Sequence, residues 1–255
     1  MLELTGLAKR YGEFQAVRDI TLTVRPGELY ALLGPNGAGK TTTIRMLMGV
    51  LRPSSGSARV LGLDCFAQRA EVMRHVGYLP DEPQFYDYLR GGELLRFVGE
   101  MHGFSAREAA DRAAPWIERL GLSDAIEEFA VNYSKGMKKK LALCCALLHE
   151  PELLVLDEPT NGLDPYATRT LHDIAREQAA AGRSVFFTTH LLDQAERLCH
   201  RIGILHAGRV AAQGTLEELR AHSGLASGTL EEVFFNVTGS RAEVTGSEAV
   251  AVTPA

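Results

Sequence analysis

The sequence is poor in cysteine, and no apolar run within its 255 residues approaches the roughly 18 needed to cross a bilayer. Cys65, Cys144, Cys145 and Cys199 form no C-x-x-C pair and sit mostly among apolar neighbours, which excludes a disulfide framework and fits reduced thiols in the cytoplasm. Met1-Leu2-Glu3 opens an alternating, strand-like segment, not a basic and then apolar leader, so the chain itself is not expected to enter a membrane. Positive charge is not in excess either: 27 Lys and Arg stand against 32 Asp and Glu, for a net charge of −5. That balance gives no global reason to expect a nucleic-acid partner. Lys138-Lys139-Lys140 is the only compact basic run and reads as a solvated turn of helix.

What remains is the composition of a globular protein, 45% hydrophobic and 23% charged, of a size for one large domain or one domain carrying a subdomain. Short apolar runs at Leu29–Leu33, Leu153–Leu156 and Ser184–Thr188 alternate with helical patterns at Thr41–Val50 and Thr168–Ala181. This predicts an α/β fold with a mostly parallel core sheet. Leu2–Val24 alternates apolar and polar residues with a break at Gly12-Glu13, predicting an N-terminal antiparallel β subdomain. From about 85 to 150 the strand signal vanishes. Gly91–Met101, Ala106–Leu120 and Lys135–Leu148 are each long enough for a helix, so a helical subdomain is expected to be inserted there. One further helical piece, Leu216–Ala221, follows Gly214. The domain is expected to run over residues 1–236, and the Gly-, Ser-, Thr- and Ala-rich stretch 237–255 to be a disordered tail.

Two motifs carry chemistry. Gly34-Pro35-Asn36-Gly37-Ala38-Gly39-Lys40-Thr41 fits G-x-x-x-x-G-K-[ST] and lies between an apolar strand and a helix that continues through Thr42, the context a phosphate loop requires. Its glycines let backbone N–H groups turn toward phosphate, the helix N-terminus adds partial positive charge, and Lys40 neutralises the β- and γ-phosphates. Thr41 offers a hydroxyl to Mg²⁺. Leu153–Leu156 ends in Asp157 and Glu158, and ligands of open parallel sheets sit beyond strand C-termini. Asp157 is placed to bind Mg²⁺ through water and Glu158 to act as general base on the attacking water. These residues read as an ATPase, a P-loop NTPase with ATP and Mg²⁺ as its ligands.

Together with Tyr133-Ser134-Lys135-Gly136-Met137 before the acidic strand, Asn161-Gly162-Leu163-Asp164 after it and Thr189-His190 beyond the next strand, the motifs resemble the ATP-binding cassette (ABC) family in order and spacing. The resemblance covers roughly Leu2 to Leu219. It implies that two cassettes pair head-to-tail around two ATP molecules. Ser134, Lys135, Gly136 and Met137 would then form the signature that meets the partner's γ-phosphate, Asp164 would belong to the D-loop, His190 would be the switch histidine and Tyr11 would stack on adenine. The fit is not uniform. Tyr133, Lys135 and Met137 replace the usual Leu, Gly and Gln of the signature, and Lys135 could meet phosphate or point to solvent. Asp81, in Gly77–Pro83, stands where the family usually carries the glutamine of its Q-loop, and is expected to retain a metal-sensing role.

The resemblance also implies partners: a second ATPase subunit, as homodimer or heterodimer, and separate membrane-spanning permease subunits, with the chain peripheral on the inner face of the cell membrane. Asn132–Met137 and Leu230–Phe234 look most like cassettes of multidrug or polysaccharide exporters. Phe85-Tyr86-Asp87-Tyr88 is a candidate contact for the membrane partner. An ATPase acting on DNA or the ribosome would be expected to carry two cassettes or a long coiled coil, neither of which is present. A module that clamps ATP without turnover would not need Glu158 and His190.

Overall fold

The structure, a computed structural model, describes residues 1–225 and 227–239. Its sequence of elements begins with β1 (Leu2–Tyr11) and β2 (Phe14–Val24), an antiparallel hairpin turning at Gly12-Glu13 as the alternation predicts. β4 (Ser55–Val60) pairs antiparallel with β1, and the two-residue β5 (Leu63–Asp64) closes that edge. The parallel core comprises β3 (Leu29–Leu33), β6 (Val76–Leu79), β7 (Leu153–Asp157), β8 (Ser184–Thr189) and β9 (Arg201–His206), in spatial order β9-β3-β8-β7-β6. β10 (Arg209–Gly214) lies antiparallel to β9 and touches β2 in parallel at one pair, Arg209 with Asp19. That pair continues the sheet from the N-terminal strands into the core.

Every residue of β3, β7 and β8 is buried, because both faces of the sheet are covered. Alternation therefore sorts their side chains between two cores. Leu29, Ala31, Leu33, Leu154, Leu156, Val185 and Phe187 face one, shared with the helices between β6 and β7 and the C-terminal helices. Tyr30, Leu32, Leu153, Val155 and Phe186 face the other, shared with α1 (Lys40–Leu47), α2 (Arg69–His75) and the N-terminal sheet.

Between β6 and β7 lie α3 (Gly91–Met101), α4 (Ala106–Arg119) and α5 (Lys135–Leu147), with no strand among them. Ser105 caps α4 by accepting from the N–H of Glu108, whose carboxylate accepts in return from the N–H of Ser105. α3 and α4 cross closely at Gly99, where any Cβ would run into Ala109.

α6 (Pro165–Ala180) starts three residues before the periodic pattern, because Asp164 caps it and Pro165 suits the first turn. α7 (Leu192–Leu198) links β8 to β9. After β10 there are two helices where the sequence pattern marks one, α8 (Leu216–Ser223) and α9 (Leu230–Thr238). Both open with a Thr–Glu capping box, Thr215 with Glu218 and Thr229 with Glu232. α9 runs two residues into the stretch expected to be a tail; residues 240–255 lie outside those described. Among the described residues no helix is long and apolar enough to cross a membrane. All four cysteines are free, and burial pushes the Cys65 and Cys145 thiols up to about 12.

One packing contact sets a pH limit. The rings of His102, at the end of α3, and His149, just after α5, stack with centroids 3.9 Å apart. Nε2 of His149 faces the Val76 carbonyl at 3.2 Å, and its Nδ1 is buried without a partner. Burial, reinforced by His102, lowers the His149 pKa to about 4, and burial lowers that of His102 as well. Both are thus neutral in the fold while the unfolded chain takes up protons below about 6.5. Stability is therefore expected to be full above pH 6.5 and to fall as pH drops toward 4. Urea midpoints at pH 7 and pH 4.5 test this; His149→Gln should shrink the difference between them.

Candidate functional site

The site is assembled at the C-terminal ends of β3, β7 and β8. β3 runs out at Leu33 and the chain turns through Gly34–Gly39 into α1. Gly39 has φ +111°, and a Cβ there would meet the Ala16 carbonyl at 2.8 Å, so only glycine lets the loop close onto the helix. Lys40 is buried in the first turn. Its ammonium donates to the carbonyls of Gly34 at 2.6 Å and Pro35 at 3.3 Å and makes an ion pair with Glu158 Oε1 at 3.0 Å. The approach to Glu158 is not aligned for a hydrogen bond, leaving Oε1 held by charge without a donor.

On β7, Asp157 pairs in register with Thr188 of β8. The Thr188 hydroxyl donates to Asp157 Oδ1 at 2.6 Å. Burial raises the Asp157 pKa; that hydrogen bond opposes the shift, and the nearby carboxylates of Asp81 and Glu158 add to it. Glu158 breaks from the strand with φ +43°, a left-handed conformation uncommon for a residue with a Cβ. Its N–H donates to the carbonyl and hydroxyl oxygens of Thr188, both at 3.2 Å. Its second carboxylate oxygen lies 2.9 Å from His190 Nδ1.

A solvent-open cleft of about 300 Å³ is lined by Pro35, Asn36, Gly37, Gly39, Lys40, Thr41, Thr42, Asp81 and Glu158 from the expected set, with Phe14 and Ala16. Gly34 and Ala38 shape the loop from beneath: the Gly34 N–H bonds to Thr189 O at 3.1 Å, and Ala38 is packed into the core. Tyr11 does not line the cleft. It is half exposed, with Lys9 over its ring, and is the cross-strand partner of Phe14, which does.

The signature residues also stand apart from their own chain's cleft. Ser134 caps α5, accepting from the Met137 N–H at 3.2 Å. Gly136 abuts the Gly162 carbonyl, and Met137 packs against the core. Lys135 lays its stem over Gly162 and reaches Glu82 at 3.2 Å. Asp164 accepts from the Ala167 N–H at 2.9 Å, which holds its carboxyl below the usual range.

The expectation of a solvated lysine run fails at Lys139. Its side chain is 1% exposed and donates to the Glu158 carbonyl at 2.7 Å and to Asp81 Oδ1 at 3.4 Å. Helical spacing carries the signal, since Lys139, Ala142, Leu143 and Ala146 share one buried face of α5. Thr188 and Phe14 are also missing from the sequence reading. Strand register reveals the first, and the hairpin partnership with Tyr11 the second.

An anion cradle at a strand end, set against buried carboxylates two strands away, is the arrangement of the phosphate-loop nucleotide-binding class, and fold and site define that class here. The family model described as ABC transporter matches residues 17–161. ABC transporter ATP-binding protein YdbJ of Bacillus subtilis is 41% identical over 85% of this chain and 70% of its own length. Daunorubicin/doxorubicin resistance ATP-binding protein DrrA of Streptomyces peucetius is also 41% identical, over 88% of this chain and 68% of its own. A solved ATP-binding subunit of an ABC transporter superposes with TM-score 0.89 at 37% identity, covering 93% of this chain and 99% of that one. A dimeric bacterial ABC transporter cassette shares the fold at TM-score 0.79 and 22% identity, over 85% of this chain and 99% of that one. The chain belongs to the ABC transporter family, as an ATP-binding subunit.

Thr188→Val tests the strand-end arrangement. It leaves a buried carboxylate without its donor, so a stability loss of about 1.5–3 kcal/mol is expected, read as a lower urea midpoint at pH 7.

Proposed function

We propose that this subunit is the ATP-hydrolysing motor of a transporter, with Glu158 as the general base. The carrying observation is that Glu158 is gripped between Lys40 and His190 at the mouth of a phosphate-loop cleft. A nucleotide's phosphates compete with Glu158 for the Lys40 ammonium. Once Lys40 turns to them, Glu158 Oε1 is free to accept a proton from the attacking water, while His190 fixes the other oxygen and so the direction of attack. The N–H groups of the loop and the N-terminus of α1 stabilise charge on the phosphates.

The donor set suits Mg²⁺. Thr41 and Asp157 supply hard oxygen ligands, and among the described residues no cluster of three or more metal-binding side chains exists that would favour a softer or fully caged ion. The carboxylates of Asp81, Asp157 and Glu158 gather around the phosphate loop with Lys40 and Lys139 as their lysine partners, a concentration of negative charge that suits a cation arriving with the nucleotide. When bound, Mg²⁺ offsets phosphate charge. Asp81 lines the same cleft, which supports a place beside the ion, although one of its oxygens is shared by Asn161 and Lys139.

Ser134, Lys135, Gly136 and Met137 lie outside the cleft of their own chain, and this supports the composite site in which a second cassette presents its signature across the dimer. Large apolar side chains exposed around the start of the helical region, Tyr86, Tyr88, Phe129 and Val131, support a membrane-spanning partner docking there, with the subunit peripheral on the inner face of the membrane. Resistance and transport names among the relatives, such as bacitracin transport ATP-binding protein BcrA of Bacillus licheniformis, support export of drug-like compounds.

Glu158→Gln is expected to bind ATP as the natural protein does while losing turnover by about 10²-fold or more. It should also run as a dimer with ATP and as a monomer without, by size-exclusion chromatography. Turnover equal to that of the natural protein removes Glu158 from the mechanism.

A further inference from the structure

We propose that Lys139 is a positioning residue for Glu158, fixing the backbone of the general base from the same helix whose first turn carries the signature. This inference rests on the reading of Glu158 given above. Three observations lead to it. Glu158 holds a left-handed backbone at φ +43°, a conformation that is strained in a residue with a Cβ and persists only where its surroundings over-determine it. The two peptide groups of Glu158 are pinned from opposite sides: Thr188 takes the N–H, while the carbonyl accepts from the Asn161 N–H at 3.2 Å and from the Lys139 ammonium at 2.7 Å. Finally, Lys139 is almost wholly buried, where an ammonium is tolerated only with partners.

Those partners are the Glu158 carbonyl and Asp81, whose Oδ1 also accepts from Asn161 Nδ2 at 3.1 Å. Burial pulls the Lys139 pKa down and Asp81 opposes that shift. The charge-assisted bond to a carbonyl is stronger than a neutral one, and this one sets the orientation of the peptide following the catalytic carboxylate. Lys139 lies little more than one turn beyond Ser134. A rigid helix thus presents its N-terminus outward and grips its own chain's general base inward.

The test is steady-state ATP turnover and ATP binding by Lys139→Met, Lys139→Arg and Glu158→Gln. Lys139→Met is expected to lower kcat about 10- to 100-fold, the cost of a roughly 1 Å misplacement, with ATP affinity within about twofold. Lys139→Arg, which keeps the charged donor, should recover much of the loss. Adding Lys139→Met to Glu158→Gln should leave the residual rate unchanged, since no base remains to be misplaced; a merely structural role would lower it further. If Lys139→Met does not fold, Lys139→Gln, which drops the charge and shortens the reach toward the Glu158 carbonyl, is held to the same expectation and takes its place in every comparison. A normal kcat in folded Lys139→Met, beside a dead Glu158→Gln, overturns this inference alone. A fully active Glu158→Gln overturns the reading of Glu158 instead.

Discussion

Two carboxylates buried side by side at the end of β7 impose the constraint around which the site is arranged. Asp157 and Glu158 are each less than one-tenth exposed, and burying charge without compensation is far costlier than a domain's net stability allows. The compensation comes from every direction. Thr188 reaches across from β8, Lys40 from α1, His190 from the end of β8, and Lys139 from α5 to the carbonyl behind. Each of those elements must therefore sit where it does. The parallel register that places Thr188 opposite Asp157 is at once a structural and a chemical requirement.

The sheet makes this arrangement possible because its central strands have no exposed face. β3, β7 and β8 each send alternate side chains into two separate cores, so their positions are fixed from both sides. Loops at their C-terminal ends then inherit that rigidity. Gly39 and Glu158 hold unusual backbone conformations on such a platform, the first because it lacks a Cβ and the second because its peptide groups are tied down.

Much of this was legible in the sequence where a pattern has a single physical reading. The apolar run Leu29–Leu33 is β3 residue for residue, Gly91–Met101 is α3, and the break at Gly12-Glu13 is the hairpin turn. Short elements were not legible, since β5 with two residues and β6 with four are too brief to show a period. α9 was hidden by proximity to a stretch of small polar residues, although Thr229 and Glu232 form a capping box that marks its start. At the site, the phosphate loop and acidic pair could be singled out because each motif is local in sequence. Thr188, Phe14 and Lys139 could not be assigned roles from motif alone, because each acts through a neighbour brought to it by strand register, hairpin pairing or helix face. Lys139 was further masked by Lys138 and Lys140, which make a buried cation look like one of a solvated run.

The departure of Asp81 from the family's glutamine takes on a physical sense in this setting. A carboxylate lining the phosphate-loop cleft would by itself add negative charge to that of Asp157 and Glu158. Here it is half of a pair, since Lys139 supplies an ammonium and Asn161 an amide to the same oxygen. A neutral amide at position 81 would leave Lys139 buried with only carbonyl dipoles to satisfy it, and an apolar residue at 139 would leave Asp81 unbalanced beside two further carboxylates. Substitutions at 81 and 139 are thus energetically coupled, and because Lys139 also holds the Glu158 carbonyl, the pair bears on the backbone of Glu158 as well.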